Sequence, residues 1–226
     1  MRLTPVLRAR PRRRAARAAA AVALSLGAGT VVPAVATASH QQIAIIQDNS
    51  ALVNAPAAFA QFRALGATTV RVFLPWAKIA PNATKTSAPK HFTATDPSAY
   101  SAAKWAPYDA IDRAAAQYHL TVELVVTGGA PRWAEGSGVP QANATNPFFA
   151  WKPSPAAYGQ FFGAVGKRYS GTYKPDGQST VLPRIHFWSI FNEPNFGEDL
   201  APQAIDGSSV LYAPTMYRNL VNSGWS

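Results

Sequence analysis

Apolar residues follow two rhythms along this chain. Short runs rich in Val, Ile, Leu and Phe alternate with longer stretches in which apolar positions recur every three or four residues. A repeated strand-then-helix rhythm of this kind predicts a parallel sheet. Ile43-Ala44-Ile45-Ile46 reads as a first strand, ending at Gln47-Asp48-Asn49. Pro56 then opens a helix, with Asn54 as its cap, that carries Phe59, Phe62 and Leu65 on one face and stops at Gly66. Thr68 to Leu74 is the second strand and closes on Pro75-Trp76, while residues 82–103, rich in Ala, Thr, Ser, Pro and Lys, read as a surface excursion. The second helix is expected from Ala106 to Tyr118, with Tyr108, Ile111 and Ala115 at helical spacing and Asp109 paired to Arg113.

Leu120 to Thr127 reads as the third strand, and Gly128-Gly129-Ala130-Pro131-Arg132-Trp133 follows it. Ser154 caps and Pro155 opens a third helix whose Tyr158, Phe161, Phe162, Val165 and Tyr169 form one stripe. After a turn-rich connection from Gly171 to Pro183, the fourth strand lies within Arg184-Ile185-His186-Phe187-Trp188-Ser189-Ile190-Phe191-Asn192-Glu193-Pro194. Pro194 cannot donate a ladder hydrogen bond, so the strand is expected to stop just after Glu193. Thr215 to Val221 starts a fourth helix.

Charge changes this picture only at the amino terminus. The net charge of +10 suggests nucleic acid until it is located: seven of the 21 basic residues, Arg2 to Arg17, precede residue 18. The remaining 14 stand against 11 acidic residues, too small and scattered an excess for phosphate binding. Behind the arginines lie an alanine-rich apolar run, Ala18 to Val32, and the small-x-small sequence Ala36-Thr37-Ala38. This is the three-part pattern of a secretory signal peptide, and it predicts a signal segment over 1–38, a mature domain over 39–226 and a secreted protein. The apolar run is too short for a membrane span and no later stretch is long enough, so no membrane association is expected after cleavage. The absence of cysteine excludes a disulfide scaffold, a thiolate metal site and a cysteine nucleophile.

The candidate chemistry sits at the ends of strands. Glu193 is placed at the carboxyl end of the fourth, the end at which parallel α/β folds assemble their sites. Asn192 beside it can both donate and accept a hydrogen bond, or cap the strand end. Arg71 lies inside the second strand between Val70 and Val72 and has to be paired or to reach the rim. Trp76 and Trp133 each follow a strand end, where an indole offers a flat apolar face to a ligand or packs under a loop. Asp48 reads as a turn residue. His119 and His186 read as structural, and neither Glu123 nor Glu135 has a partner that the sequence identifies.

Phe191-Asn192-Glu193-Pro194-Asn195 after an aromatic strand resembles the fourth barrel strand of retaining glycoside hydrolases of the cellulase-like (β/α)8 clan, of the family five or family thirty-nine type. The resemblance runs from about Ile43 to Trp225 and implies the first four βα units of a TIM barrel, incomplete in this chain. It implies a carbohydrate substrate with a β linkage, no cofactor and no metal. Glu193 becomes the acid/base, Asn192 the residue on the sugar's 2-hydroxyl, and Arg71 a neighbour of the nucleophile. In that clan the nucleophile ends the seventh strand, which has no counterpart here. Self-association through open sheet edges, and no glycoside turnover by residues 39–226 alone, are therefore expected. The alternative is an exported carbohydrate-binding or pseudoenzyme fragment in which Trp76 and Trp133 bind and Glu193 does not act.

Overall fold

The computed structural model describes residues 42–48, 50, 57–140 and 148–226. The signal segment with its cleavage site, the Asn54 cap and Pro56 lie outside these residues.

Four parallel strands form the main sheet: β1 (Ile45–Ile46), β2 (Thr69–Pro75), β3 (Thr121–Thr127) and β5 (Phe187–Ile190), in spatial order β1-β2-β3-β5, while β4 (Ala150–Trp151) belongs to a separate two-stranded sheet. Spatial order thus follows chain order. Right-handed crossovers then place every connecting helix on the same face, as in a barrel; a doubly wound sheet reverses direction and is covered on both faces. Burial agrees with this. Val70, Val72 and Leu74 of β2, Val122, Leu124 and Val126 of β3 and Ile190 of β5 share one core with Phe59 of α1 (Ala57–Ala64), Trp105 of α3 (Ala102–Gln117) and Phe161 of α4 (Pro155–Arg168). The opposite face carries Arg71, Phe73 and Glu123, all half-buried, with Ile45 and Phe187 about half exposed at its two edges. The fold is therefore the expected α/β run of four βα units with a parallel sheet that does not close among the described residues.

The short helix α2 (Trp76–Ile79) follows β2 directly, and α5 (Ala213–Trp225) packs along α4. Gly159 permits that contact, because a Cβ there would stand 2.4 Å from the Ser223 carbonyl oxygen. Ser154 caps α4 as expected, its hydroxyl accepting from the Ala157 N–H at 3.3 Å.

Four expectations are corrected. First, α3 begins at Ala102, ahead of Ala106, with Pro107 inside it. Trp105 is the reason: fully buried, it stacks on Phe161 and donates its indole N–H to the Pro97 carbonyl at 3.1 Å, so the preceding turn is drawn into the helix. Second, the 82–103 segment is more than a surface excursion, since Pro97 and Tyr100 are buried and Phe92 packs edge-on against Tyr100. Third, Asp109 does not pair with Arg113. It takes a two-pronged bond from Arg168, with Nε at 2.9 Å, and a hydroxyl from Tyr169 at 3.0 Å, while Arg113 turns to Thr180 and Val181. Fourth, β5 ends at Ile190, three residues before Glu193, because Phe191 turns to φ +62°.

The Asp109 partnership leaves Asp112, one turn along α3, buried with its Oδ2 lacking a hydrogen bond. Burial, aided by the charge of Asp109, pushes the Asp112 carboxyl up from 3.8 to about 7. A raised carboxyl pKa means that the native state binds the extra proton, so the contribution of Asp112 to stability is most favourable in acid and falls as pH rises from near 4 through about 7. Converted at 1.36 kcal/mol per unit, the loss is on the order of 4 kcal/mol. Asp112→Asn should match the wild type near pH 4 and exceed it at pH 8. Urea unfolding at the two pH values checks this, and parallel curves for both proteins would contradict it.

Candidate functional site

Period-two alternation decides which side chains reach the face away from the helices. Thr69-Val70-Arg71-Val72 and Thr121-Val122-Glu123-Leu124 pair in register, which sets Arg71 directly beside Glu123. The Arg71 Nε lies 3.5 Å from the Glu123 Oε1, with roughly a quarter of the Arg side chain and a fifth of the Glu side chain exposed (26% and 19%). Ser189 of β5 donates its hydroxyl to the same Glu123 oxygen at 2.6 Å. The rest of the guanidinium reaches sideways and forward. Nη1 donates to the Gln47 Oε1 at 2.6 Å, just past β1, and Nη2 to the Asn192 Oδ1 at 3.3 Å, just past β5. Phe73, on the same face of β2, lies under the guanidinium at 4.9 Å. One cation therefore ties together groups from all four strands of the sheet or their ends.

The peptide beyond β5 is shaped by left-handed backbone. Phe191 and Glu193 have φ of +62° and +41°, a region that non-glycine residues adopt at a cost and that clusters at functional sites. Ladder bonds continue through the first of these turns. The Phe191 N–H donates to the Val126 carbonyl at 2.9 Å, and the Asn192 N–H to the Thr127 hydroxyl at 3.0 Å. Gly128 is required beside this turn, because a Cβ would stand 2.4 Å from the Phe148 carbonyl oxygen and 2.9 Å from the Phe191 ring. Asn192 is half-buried, whereas Glu193 is exposed at the sheet's carboxyl end.

The loop after Glu193 is fastened on both sides. The Gln203 side chain donates to the carbonyls of Pro194 at 3.1 Å and Leu200 at 2.6 Å. A small parallel sheet of β4 (Ala150–Trp151) and β6 (Leu200–Ala201) joins it to the loop that follows β3. Asp199 sits at that junction, buried, its carbonyl accepting from the Ala150 N–H at 2.9 Å and its Oδ2 from the Asn192 Nδ2 at 3.3 Å. Burial pushes the Asp199 carboxyl up, the Asn192 bond opposes this, and the charges of Glu193 and Glu198 add to it.

The structure thus brings together Arg71 and Asn192, with Glu193 next in the chain. It places Trp76 and Trp133 against each other instead, edge to face at 5.8 Å. Trp76 is enclosed, with Tyr158 and Phe161 also on its ring, and its indole N–H is buried without a hydrogen-bond partner. Trp133 is half-buried, its N–H bound to the Pro81 carbonyl at 2.9 Å. Gln47, Glu123, Thr127 and Asp199 complete the network and were not assigned to it from sequence. The signal for Glu123 was available: a second charge stands at the same step of a second Thr-Val-x-aliphatic strand.

No family profile matches the chain, and no curated protein sequence matches it. Among solved structures, the chain is similar to the β-glucosidase from Trichoderma harzianum, with 15% identity, TM-score 0.46, and coverage of 76% of this chain and 31% of that one. A double mutant of that β-glucosidase gives 14% identity, TM-score 0.44 and coverage of 76% and 32%. A GH5_18 structure from Bifidobacterium longum subsp. longum gives 15% identity, TM-score 0.34 and coverage of 64% and 37%. The chain spans about a third of the length of these structures.

The Arg71 network makes a testable demand on stability. Arg71→Met keeps the apolar stem but leaves Glu123 without its cation and strands the oxygens of Gln47 and Asn192, at a cost of roughly 1–3 kcal/mol. Replacing both charges, Arg71→Met with Glu123→Leu, should recover much of that loss, because no uncompensated carboxylate remains. Denaturant unfolding of the two singles and the double checks it. Strictly additive losses would show that the two charges are not coupled.

Proposed function

We propose that this chain is part of an exported glycoside hydrolase acting on a β-linked glycan or glycoside by the retaining route, with Glu193 as its general acid/base. The observation that carries the reading is the placement of Glu193: exposed, on a left-handed turn at the carboxyl end of a parallel sheet, directly after an asparagine whose amide is held from two sides. A general acid has to reach the glycosidic oxygen with its proton, so it must project from a rigid strand end into open space. Asn192 supplies the adjoining contact to the 2-hydroxyl, which strengthens as positive charge develops at the anomeric carbon. Arg71 donates to the oxygen of that amide and is itself held by Glu123 and Gln47. The retaining reaction needs a second carboxylate about 5 Å from the first to form the glycosyl-enzyme intermediate, which water then cleaves with Glu193 acting as base. The sugar and the linkage preference belong to the loops around this mouth.

The alternative is sugar binding without cleavage; Asp199, a buried carboxylate whose charge environment includes Glu193, has its Oδ2 on the Asn192 amide, which suits it to holding that amide.

In a catalytically active protein carrying this chain, Glu193→Ala should slow cleavage of alkyl β-glycosides by about 10²–10⁴-fold. Activated aryl β-glycosides, which leave without a proton, should lose far less in the glycosylation step. Equal losses on the two substrates would reduce Glu193 to a structural residue, and glycan binding without turnover by the wild type would favour the alternative.

A further inference from the structure

Building on the assignment of Glu193 and Asn192 above, we infer that Asp199 is a positioning residue that fixes the facing of the Asn192 amide, so that a glycoside's 2-hydroxyl meets an N–H donor there. The Asn192 carbonyl oxygen accepts from the Arg71 Nη2 at 3.3 Å, and its Nδ2 donates to the Asp199 Oδ2 at 3.3 Å. Rotating the amide by half a turn would set N–H groups against a guanidinium that can only donate, and a carbonyl against a carboxylate that, when ionised, can only accept. Both contacts would change from attractive to repulsive, so only one facing survives. An amide with no anchor, or with one weak anchor, would present donor and acceptor interchangeably to a ligand.

With Asp199 holding one N–H and Arg71 occupying the carbonyl, the second N–H remains for the ligand. That selects a glycoside whose C2 substituent is a small acceptor, a free hydroxyl, over one that is deoxygenated at C2. Asp199 is suited to the task because it is buried and fastened at its own backbone: its carbonyl is tied to β4 through Ala150, and its N–H donates to the Phe196 carbonyl at 3.0 Å. The charged groups that act on its carboxyl, Glu193 and Glu198, belong to its own loop, and β4 meets it with the Ala150 backbone N–H. On the far side of Asn192 stands Arg71.

The Asn192 side-chain amide, assigned by its disappearance in Asn192→Asp, can be followed in a ¹H–¹⁵N correlation spectrum. In the wild type this signal should shift as acid protonates Asp199, and the shift should persist in Glu193→Gln and Glu198→Gln but vanish in Asp199→Asn. Asp199→Leu should move the signal toward the position of a free amide, whereas Asp199→Asn, whose own carbonyl can still accept, should largely restore it. The second readout is the preference for phenyl β-glucoside over its 2-deoxy analogue, expected to be roughly tenfold or more in binding and lost in Asp199→Leu alone. If Asp199→Leu does not fold, the acid titrations of the wild type and Asp199→Asn decide. A wild-type amide signal indifferent to acid, or one that titrates identically in Asp199→Asn, overturns the inference. Absence of glucoside binding in every protein, with the amide behaving as described, would count against the glycosidase reading and leave the role of Asp199 standing.

Discussion

The site depends on a charge that the sheet interior cannot leave alone. Arg71 sits in the middle of a strand, and burying an unpaired guanidinium is costly, so the surrounding structure has to supply acceptors. It does so from every strand: Gln47 beyond β1, Glu123 in β3, and Asn192 beyond β5. Glu123 has the reciprocal need and meets it with Arg71 and the Ser189 hydroxyl. Because the three donor positions of one planar group point in fixed directions, satisfying them sets where the ends of β1 and β5 stand relative to β2. The place of the Asn192 amide oxygen beside β2 answers that requirement.

A second constraint acts on the loop that carries Glu193. Beyond Ile190 the backbone leaves the ladder through left-handed residues, a cost that persists only where the surroundings over-determine it. Here the surroundings are the Thr127 hydroxyl, the close approach at Gly128, the Gln203 side chain and the small β4-β6 sheet. These contacts tie the loop after β5 to the loop after β3. Glu193 therefore projects from a braced turn even though it lies three residues past its strand.

Much of this was legible in the sequence, for physical reasons that differ from element to element. The strand-helix rhythm, the Ser154-Pro155 helix start and the apolar stripe of α4 are local patterns, and each formed as read. Where the reading missed, a distant contact had overruled a local preference. Helical spacing from Tyr108 onward puts the helix start at Ala106, but Trp105 packing on Phe161 extends α3 back to Ala102. Asp109 and Arg113 have ideal spacing for a pair, yet Arg168 offers Asp109 a bidentate, more buried partner. Arg71, Asn192 and Glu193 stood out in the sequence by residue type and position, and the fold brings the first two into contact. Asp199 did not stand out, because nothing in its spacing from Asn192 shows that the loop folds back to meet the amide. Trp76 follows a strand, the place of a ligand-facing ring, but the aromatic cluster around it encloses the indole.

The account as a whole rests on what meets the Glu193 carboxyl when a sugar is bound. The most direct measurement is a crystal structure of a protein carrying this chain with an uncleaved β-linked thiodisaccharide. The account predicts the bridging sulfur at about hydrogen-bonding reach of the Glu193 carboxyl, with the 2-hydroxyl of the adjoining ring on the free N–H of Asn192. A ligand seated elsewhere, or one whose bridging atom lies against a different side chain while Glu193 faces solvent, would contradict it.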